Sequence, residues 1–341
     1  SDWTRQSPQS ADAYEALADI LEARGEVSER SGRPSALAAL ITARHLSASD
    51  IQRLRLSASE VRLRLKRSEF SQARALADSL LANHPMTNPD DAGELIGLAA
   101  LTGRINQTAQ LARYSERTPI ADQVSIPPPL AEAAANLYAH AALGACGDAV
   151  ESLQGGLERA LQSYVSEVKR DGVRALLADR SYSMLAPCTR AQSARRIQDT
   201  HDRLYRIQRA FAHNDLRTVR ATFDSLAVMR RSSRPGDLTL DYTYQEAWLK
   251  TAMGDTAAAI RQLDLALSSL PTLNAVALKD PGVAAAVGRA IALRAELAND
   301  AHDAATTRRW ASALVALWEN ADKPLQPTVT RMRQLAATKQ S

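Results

Sequence analysis

The sequence predicts an all-α protein, built as a right-handed α-solenoid of stacked helical hairpins. Three observations lead to this fold class. Alanine and leucine dominate the 341-residue chain and aromatic residues make up only 4% of it, so few segments favour strands. Apolar residues recur at helical spacing along most of the chain. Residues that suit tight turns recur at similar intervals between these helical segments.

The helical segments follow one another with short connections. The first, residues 11–27, places Tyr14, Leu17, Ile20 and Leu21 on one helical face. Later segments with the same period cover residues 48–65, 70–85, 131–144, 148–168, 194–214, 215–231, 242–254, 254–271, 282–298, 306–319 and 326–336. Short connections predict that paired helices are antiparallel neighbours.

Turn positions that tolerate a positive φ separate the paired helices. These positions are Ser68, Gly103, Gly144, Asn214 and Gly254, at intervals of 35, 41, 70 and 40 residues. The interval of 70 is two units of 35, and the unit around 165–189 has no readable signature. We predict roughly eight hairpins in one continuous array. It has an N-terminal part (1–125), a C-terminal part (126–341) and a capping helix around 326–336.

In the helix that follows a turn position, small and bulky residues alternate at intervals of about one helical turn. After the last turn, Ala259 lets the preceding helix approach closely, Leu263 fills the space one turn later, and Ala266 faces the next hairpin. Pro271 ends the helix, and the same spacing occurs in residues 68–85. A hairpin with apolar surface on both sides cannot bury it alone, so the hairpins are expected to stack.

This pattern resembles the tetratricopeptide repeat, a helix–turn–helix unit of roughly 34 residues. The likeness is strongest in Gly254–Pro271 and Ser68–Pro85, and extends to Gly144–Leu157 and Asn214–Leu226. The first-helix Trp-Leu-Gly-Tyr signature is mostly missing and the repeat length varies, so the resemblance implies degenerate repeats. It also implies a concave groove, lined by the first helix of each hairpin, that binds a peptide.

The segment Trp310–Ala336 resembles the closing part of tetratricopeptide-like regions in bacterial transmembrane serine/threonine protein kinases. The residues that carry this resemblance are Leu317, Trp318, Ala321, Asp322, Leu325, Gln326 and Pro327. The chain itself has no Gly-rich phosphate loop, His-Arg-Asp motif or Asp-Phe-Gly motif. The resemblance therefore implies a kinase domain upstream of Ser1.

The register of the repeats selects six candidate ligand-contacting side chains on first helices. They are Arg55, Arg62, Tyr138, Gln208, Tyr244 and Trp248. An exposed pair of aromatic rings at 244 and 248, one helical turn apart, would anchor an extended chain. The two arginines would bind a carboxylate. A register error of one residue would instead place Trp248 in the core.

No catalytic or metal-binding pattern accompanies these residues. The six histidines have no His or Cys at metal-ligand spacing and no nucleophile–base motif occurs, so we predict no enzyme activity, cofactor or metal ion. Asp90, Asp91 and Glu94 fit the acidic first turns of a helix better than a calcium loop. Cys146 and Cys188 allow a disulfide if the region is extracytoplasmic.

Charge and hydropathy narrow the classes of partner. The net charge is +4, and Asp199 and Asp202 interrupt the arginine-rich stretch 190–209, so we expect no nucleic-acid partner. No apolar stretch reaches 18 residues, so we expect no membrane insertion of this chain.

The sequence thus predicts a non-enzymatic scaffold that binds a protein or peptide, as the sensor or docking region of a larger bacterial signalling protein. A bound partner would stabilise one curvature of the array or a homodimer. Two alternatives stay open, namely a small-molecule-sensing solenoid with an enclosed pocket and the effector-binding region of a transcription regulator. The two cysteines and the resemblance to kinases favour a periplasmic location.

Overall fold

The computed structural model describes residues 2–28, 34–84, 89–115, 126–145, 148–174, 177, 180–185, 203–230 and 240–338. These residues form eighteen α-helices and three short 3-10 helices, and they contain no strand. The all-α class predicted from composition and periodicity is therefore confirmed.

Twelve of the eighteen helices correspond to predicted segments. The helices of the N-terminal part are α1 (Asp2–Gln6), α2 (Ala11–Ala23), α3 (Ala36–Leu46), α4 (Asp50–Lys66), α5 (Phe70–Asn83), α6 (Pro89–Leu101) and α7 (Ile105–Ala112). The next helices are α8 (Pro128–Leu143), α9 (Asp148–Tyr164), α10 (Glu167–Arg174), α11 (Arg180–Met184), α12 (Arg203–Ala212) and α13 (Leu216–Arg230). The last are α14 (Leu240–Ala252), α15 (Thr256–Ser268), α16 (Pro281–Asp300), α17 (Ala304–Leu317) and α18 (Gln326–Ala337). The 3-10 helices are Leu270–Thr272, Ala275–Lys279 and Lys323–Leu325. The helices α1, α3, α6, α7, α10 and α11 were not among the predicted segments.

All five predicted turn residues have left-handed backbone conformations, with φ between 59° and 85°. Two further residues, Gly25 and His302, share this conformation. At each of the seven positions the next N–H donates to the carbonyl five residues earlier, at 2.8–3.0 Å. This hydrogen bond closes the end of a helix in the Schellman manner. The positive-φ prediction is confirmed, and the turns are the most regular repeated feature of the chain.

Aspartates directly after three of these turns begin the second helix of the hairpin. The carboxylates of Asp215, Asp255 and Asp303 each accept a hydrogen bond from the N–H three residues later, at 3.0–3.1 Å. Hydrogen bonds from Thr218 and Thr306 lower the pKa of Asp215 and Asp303, respectively. Turn and cap together fix the hairpin locally.

Each helical hairpin packs its two helices together, in the pairs α4–α5, α6–α7, α8–α9, α14–α15 and α16–α17. The first helices of these hairpins also contact one another, in the pairs α4–α6, α6–α8, α6–α16, α8–α16 and α14–α16. Helix α16 lies at the centre, because it contacts α6, α8, α14, α15, α17 and α18.

The C-terminal helices pack against hairpins that are distant in sequence. Helix α16 contacts α6 and α8, and α17 contacts α5. The indole Nε1 of Trp318 donates to the carbonyl of Leu101 at 3.0 Å, and the N–H of Asp322 donates to the carbonyl of Gly103 at 3.0 Å. Repeats in an open array touch only their neighbours. Here helices more than 200 positions apart in the chain contact one another.

The buried apolar side chains of the described residues form three clusters. The main cluster draws residues from α4 through α9, α11 and α14 through α18. A second lies between α2, α3 and α4, and a third lies between α12, α13 and α14. The packing residues Ala259 and Leu263 are fully buried, as the repeat spacing predicts. On α2, however, Leu21 is buried while Ile20 is 52% exposed, so only part of its predicted apolar face is covered.

Close approach of α16 depends on a missing side chain. A Cβ atom on Gly288 would lie 2.4 Å and 2.6 Å from two ring carbons of Trp318. These distances are far below van der Waals contact, and the hydrogen bond from the indole Nε1 to Leu101 restrains the ring. Glycine is therefore required at this point of the helix.

Replacing Gly288 with alanine should lower the free energy of unfolding by about 2–3 kcal/mol, because overpacking against a rigid ring outweighs the gain in helix propensity. Urea unfolding followed by circular dichroism measures this change. The matched control is Gly156→Ala in α9, where no atom outside the helix backbone lies within 4 Å of the added Cβ. That variant should be as stable as the parent or more stable. Equal behaviour of the two variants would contradict the tight contact.

Candidate functional site

The space beside α4 and α6 has an open part and a filled part. The open part is a cleft of about 600 Å³ whose walls come from the first turns of α2, α4 and α6. The filled part adjoins it and holds the 3-10 helix Ala275–Lys279, which packs against α4, α6 and α16. Glu94 of α6 belongs to both parts, because it lines the cleft and also binds Lys279.

The open cleft combines apolar and acidic surface. Ile51 is 64% exposed at its edge, and the buried Leu54 lies at its base. Among the described residues, four carboxylates line it, together with one guanidinium, that of Arg55. The carboxylates are those of Asp12, Asp90, Asp91 and Glu94.

Polar contacts between α2 and α4 form one wall of the cleft. The amide of Gln52 donates to a carboxylate oxygen of Asp12 at 2.7 Å. Arg55 binds Glu15 at 2.8 Å. Because Glu15 matches the charge of Arg55, the lining of the cleft remains negative overall.

In the filled part, three kinds of contact hold the chain's own segment against α2 and α6. The N–H of Ala275 donates to a carboxylate oxygen of Glu22 at 2.8 Å. The side chain of Leu278 is buried, and its carbonyl lies so close to α6 that a Cβ on Gly97 would be 2.2 Å from the oxygen. Lys279 forms an ion pair with Glu94. A main-chain donor, an aliphatic side chain and a lysine thus hold the segment.

Two buried cations on α4 bind the same glutamates that hold this segment. Arg62, 1% exposed, donates to the carboxylate of Glu94 at 3.1 Å and to its main-chain carbonyl at 3.0 Å. Lys66, 2% exposed, binds Glu22 at 2.7 Å. Burial opposes ionisation of Glu94, but Arg62 and Lys279 outweigh this effect and hold the pKa of Glu94 below its ordinary value.

Among the predicted groove residues, Arg55 is the one that lies in the open cleft. Arg62 does not have the expected exposure, because α6 packs over this part of α4 and Glu94 binds its guanidinium. Its predicted role in binding an external carboxylate is replaced by an internal ion pair.

Tyr138, Gln208 and Tyr244 also differ from the expected exposure, since all three are buried. Helix α16 packs against α8 and α14, and so covers the faces on which the two tyrosines lie. Gln208 instead donates to the side-chain carbonyl of Gln245 at 2.5 Å, between α12 and α14. The concave surface expected of an open array is therefore occupied by the chain itself at these positions.

Trp248 is partly buried between two clusters. It packs against the main cluster and against the α12–α14 cluster, and its ring meets Phe211 edge to face at 6.0 Å. This arrangement differs from an exposed pair with Tyr244. It is closer to the core position that a register error of one residue would give.

Two guanidinium groups lie over the buried tyrosines. Arg180 lies 5.7 Å from the ring centre of Tyr138 and also binds Asp280 at 3.2 Å. Arg289 lies 4.4 Å from the ring centre of Tyr244.

Arg289 also donates to three main-chain carbonyls near the ends of α8 and α11. These belong to Ala141 at 3.1 Å, Ala142 at 3.2 Å and Met184 at 3.1 Å. A cation at helix C-termini is favourable because these carbonyls lack intrahelical donors. Sequence reasoning did not single out Arg289, since nothing near it in the chain identifies these acceptors.

Lys66 and Lys279 were also missed as functional candidates. Lysine is rare in this arginine-rich chain, with six residues in all. That scarcity was the one signal that distinguished these two positions. Their glutamate partners come from other helices, so the sequence could not pair them.

The remaining predictions concern the two cysteines, metal binding and membrane insertion. Cys146 and Cys188 lie outside the described residues. Within the described ranges, no group of three or more His, Cys, Asp or Glu side chains could hold a metal ion. In the same part of the chain, no helix combines the length and apolar character needed to cross a membrane.

Comparisons with known proteins add no assignment: no protein-family model, curated protein or solved structure matches this chain.

Replacing Glu94 with glutamine should destabilise the protein by about 2–3 kcal/mol at pH 7, because Arg62 stays buried without its anionic partner. Because the folded state lowers the pKa of Glu94, its ionised carboxylate stabilises the fold at pH values above 4.5, the ordinary pKa of a glutamate. This contribution is lost as the pH falls through the folded-state pKa. The difference from the parent should therefore shrink below pH 4.5.

Urea unfolding at pH 7 and at pH 3.5 measures this difference. Glu132→Gln is the control, because Glu132 is 56% exposed and its pair with Arg113 lies at the surface. It should change stability by less than about 1 kcal/mol. A destabilisation by Glu94→Gln that does not depend on pH would contradict the ionised state of Glu94.

Proposed function

We propose that this chain is a non-enzymatic scaffold that binds an extended protein segment in the open cleft between α2, α4 and α6. One observation carries the proposal. The chain's own segment Ala275–Lys279 occupies the adjoining part of the same surface, through main-chain, apolar and ionic contacts. The same helices thus present, in the open cleft, a surface of the kind that already holds a short polypeptide.

The shape and chemistry of the cleft support this assignment. A volume of about 600 Å³ is within the range of ligand sites. The exposed Ile51 offers an apolar contact in a region where most apolar side chains are covered. Arg55 and the carboxylates provide polar contacts that orient a bound chain.

The proposal also covers the type of helical repeat and the handedness of the array. We propose that the hairpins are degenerate tetratricopeptide-like repeats in a right-handed array. The support is the recurrence of the left-handed turn and the following helix cap. The handedness stays a prediction.

The place of the chain in a larger protein is a separate part of the proposal. The resemblance of Trp310–Ala336 to kinase-associated regions supports a docking or sensor region of a bacterial signalling kinase. The coding sequence upstream of Ser1 tests it. A kinase domain followed by a membrane helix would support this part, and an unrelated upstream domain would overturn it.

Selection of a displayed random-peptide library against the chain tests the binding function. We expect enriched peptides whose affinity falls at least about tenfold, or 1.4 kcal/mol, in Ile51→Asp, because a charge replaces the apolar contact. The matched control is Val228→Asp on α13, since Val228 is 61% exposed and Ile51 is 64% exposed. The control should bind as the parent does. Failure to enrich any peptide, or equal effects of the two substitutions, would contradict binding at this cleft.

A further inference from the structure

We infer that residues 270–280 form a strap that closes the filled part of the binding surface and opens as a unit, so that a longer partner segment takes its place. The inference rests on the proposed function and adds its regulation, because it concerns the occupancy of the same surface. The strap lies between α15 and α16 and contains the 3-10 helices Leu270–Thr272 and Ala275–Lys279. Both of these short helices contact α4, and the second also contacts α6.

Local hydrogen bonds give the strap a shape of its own. The N–H groups of Ala277 and Asp280 donate to the carbonyls three residues earlier, at 3.0 Å and 3.2 Å. The N–H of Val276 donates to the side chain of Asn274 at 2.9 Å. Donors and acceptors all lie within the strap, so these groups stay paired when it moves away from α4 and α6.

Two carboxylates outside the strap anchor it. Glu22 of α2 accepts a hydrogen bond from the N–H of Ala275 at 2.8 Å. Glu94 of α6 forms an ion pair with Lys279. Ala275 and Lys279 are the first and last residues of the second 3-10 helix, so that helix has an anionic anchor at each end.

Both anchoring carboxylates also bind a buried cation of α4. Lys66 binds Glu22 at 2.7 Å, and Arg62 binds Glu94 at 3.1 Å. A buried cation without an anion would strongly destabilise the closed and the open form alike. Because these two ion pairs lie outside the strap, its opening leaves each cation with its carboxylate. The surface beneath the strap is therefore complete without it.

The strap has one buried side and one exposed side. Leu278 is 1% exposed, whereas Val276 is 60% exposed. The carbonyl of Leu278 lies against Gly97 of α6, where an added Cβ would be 2.2 Å from its oxygen. The strap is thus held from one side, and a single methyl group on α6 would oppose its closed position.

The strap sets a length requirement on the partner. Glu94 lines the open cleft and also anchors the strap, so a segment that extends along the cleft past Glu94 meets the strap. A tethered segment has a local concentration on the order of 1 mM when its connections are short. A short partner therefore occupies the cleft alone, while a segment that binds both parts of the surface displaces the strap.

Thiol labelling of introduced cysteines measures opening. Ala275→Cys reports on the strap, and Ala290→Cys reports on α16, since both alanines are buried. We expect position 275 to be labelled at least about a hundredfold faster than position 290, because local opening is more frequent than global unfolding. Mass spectrometry of tryptic peptides assigns the label to each cysteine. Equal rates would show that the strap opens only with the whole fold, and would overturn the inference.

Substitutions at the contacts locate the closing interaction. Gly97→Ala should raise the labelling rate at position 275 about tenfold and leave position 290 unchanged. Lys279→Gln should raise it several-fold, and it replaces Gly97→Ala if that variant does not fold. The matched control is Val276→Ala, an exposed position of the same strap, which should have no effect. No acceleration by Lys279→Gln, or the same acceleration by Val276→Ala, would contradict the closing contacts.

A synthetic peptide with the sequence of residues 270–280 tests replacement of the strap. Leu278→Asn combined with Lys279→Gln weakens the strap of the protein and leaves α2, α4 and α6 unchanged. Fluorescence polarisation should show the labelled peptide binding this variant at least about tenfold more tightly than the parent, a difference of 1.4 kcal/mol. A peptide that carries the same two substitutions should bind neither protein. Equal affinity for variant and parent, or no binding at about 1 mM, overturns the inference.

The outcomes separate this inference from the proposed function. If library selection enriches peptides that are sensitive to Ile51→Asp while the strap fails the labelling test, the binding function stands and the regulation by the strap is rejected. If the strap opens and selection enriches nothing, the proposed function fails and the regulatory step fails with it. Enriched peptides that accelerate labelling at position 275 support both.

Discussion

The indole ring of Trp318 joins two helices that are far apart in the chain, α6 and α16. It lies close to Gly288 of α16, and its Nε1 donates to the carbonyl of Leu101, the last residue of α6. Leu101 ends α6, and the three preceding carbonyls already accept hydrogen bonds from the turn that follows. Trp318 therefore satisfies the remaining carbonyl of that helix end, where an unpaired buried carbonyl would be costly. Around this contact α16 packs against both α6 and α8.

Contacts between helices that are distant in the chain also account for the charged side chains that lie inside. Arg62, Lys66 and Arg289 are all at least nine-tenths buried, and each has defined acceptors on another helix. An unpaired buried cation would cost several kcal/mol, so any other arrangement of these helices is disfavoured. The apolar clusters supply the bulk of the stabilisation. The ionic contacts specify which helix faces meet, because each buried cation needs its acceptors at defined positions on another helix.

The packing of the C-terminal half of the chain also shapes the surface that we propose for binding. The segment Ala275–Lys279 enters beside α4 and α6 and covers the C-terminal turns of that surface. The N-terminal turns stay open, with Ile51, Arg55 and several carboxylates. Glu94 stands between the two parts. The binding surface that we propose is thus the uncovered remainder of a groove that the protein partly fills with its own chain.

The sequence by itself determined the all-α class, most of the helices, the left-handed turns and the small packing residues. These features depend on local chemistry, such as the positive φ at Ser68 or the spacing of Ala259 and Leu263, which neighbouring residues suffice to specify. Only the tertiary structure decided which faces are exposed. Tyr138 and Tyr244 are buried because α16 packs against both of their helices. Helical periodicity gives the side of a helix on which a residue lies, but it carries no information about which distant helix covers that side.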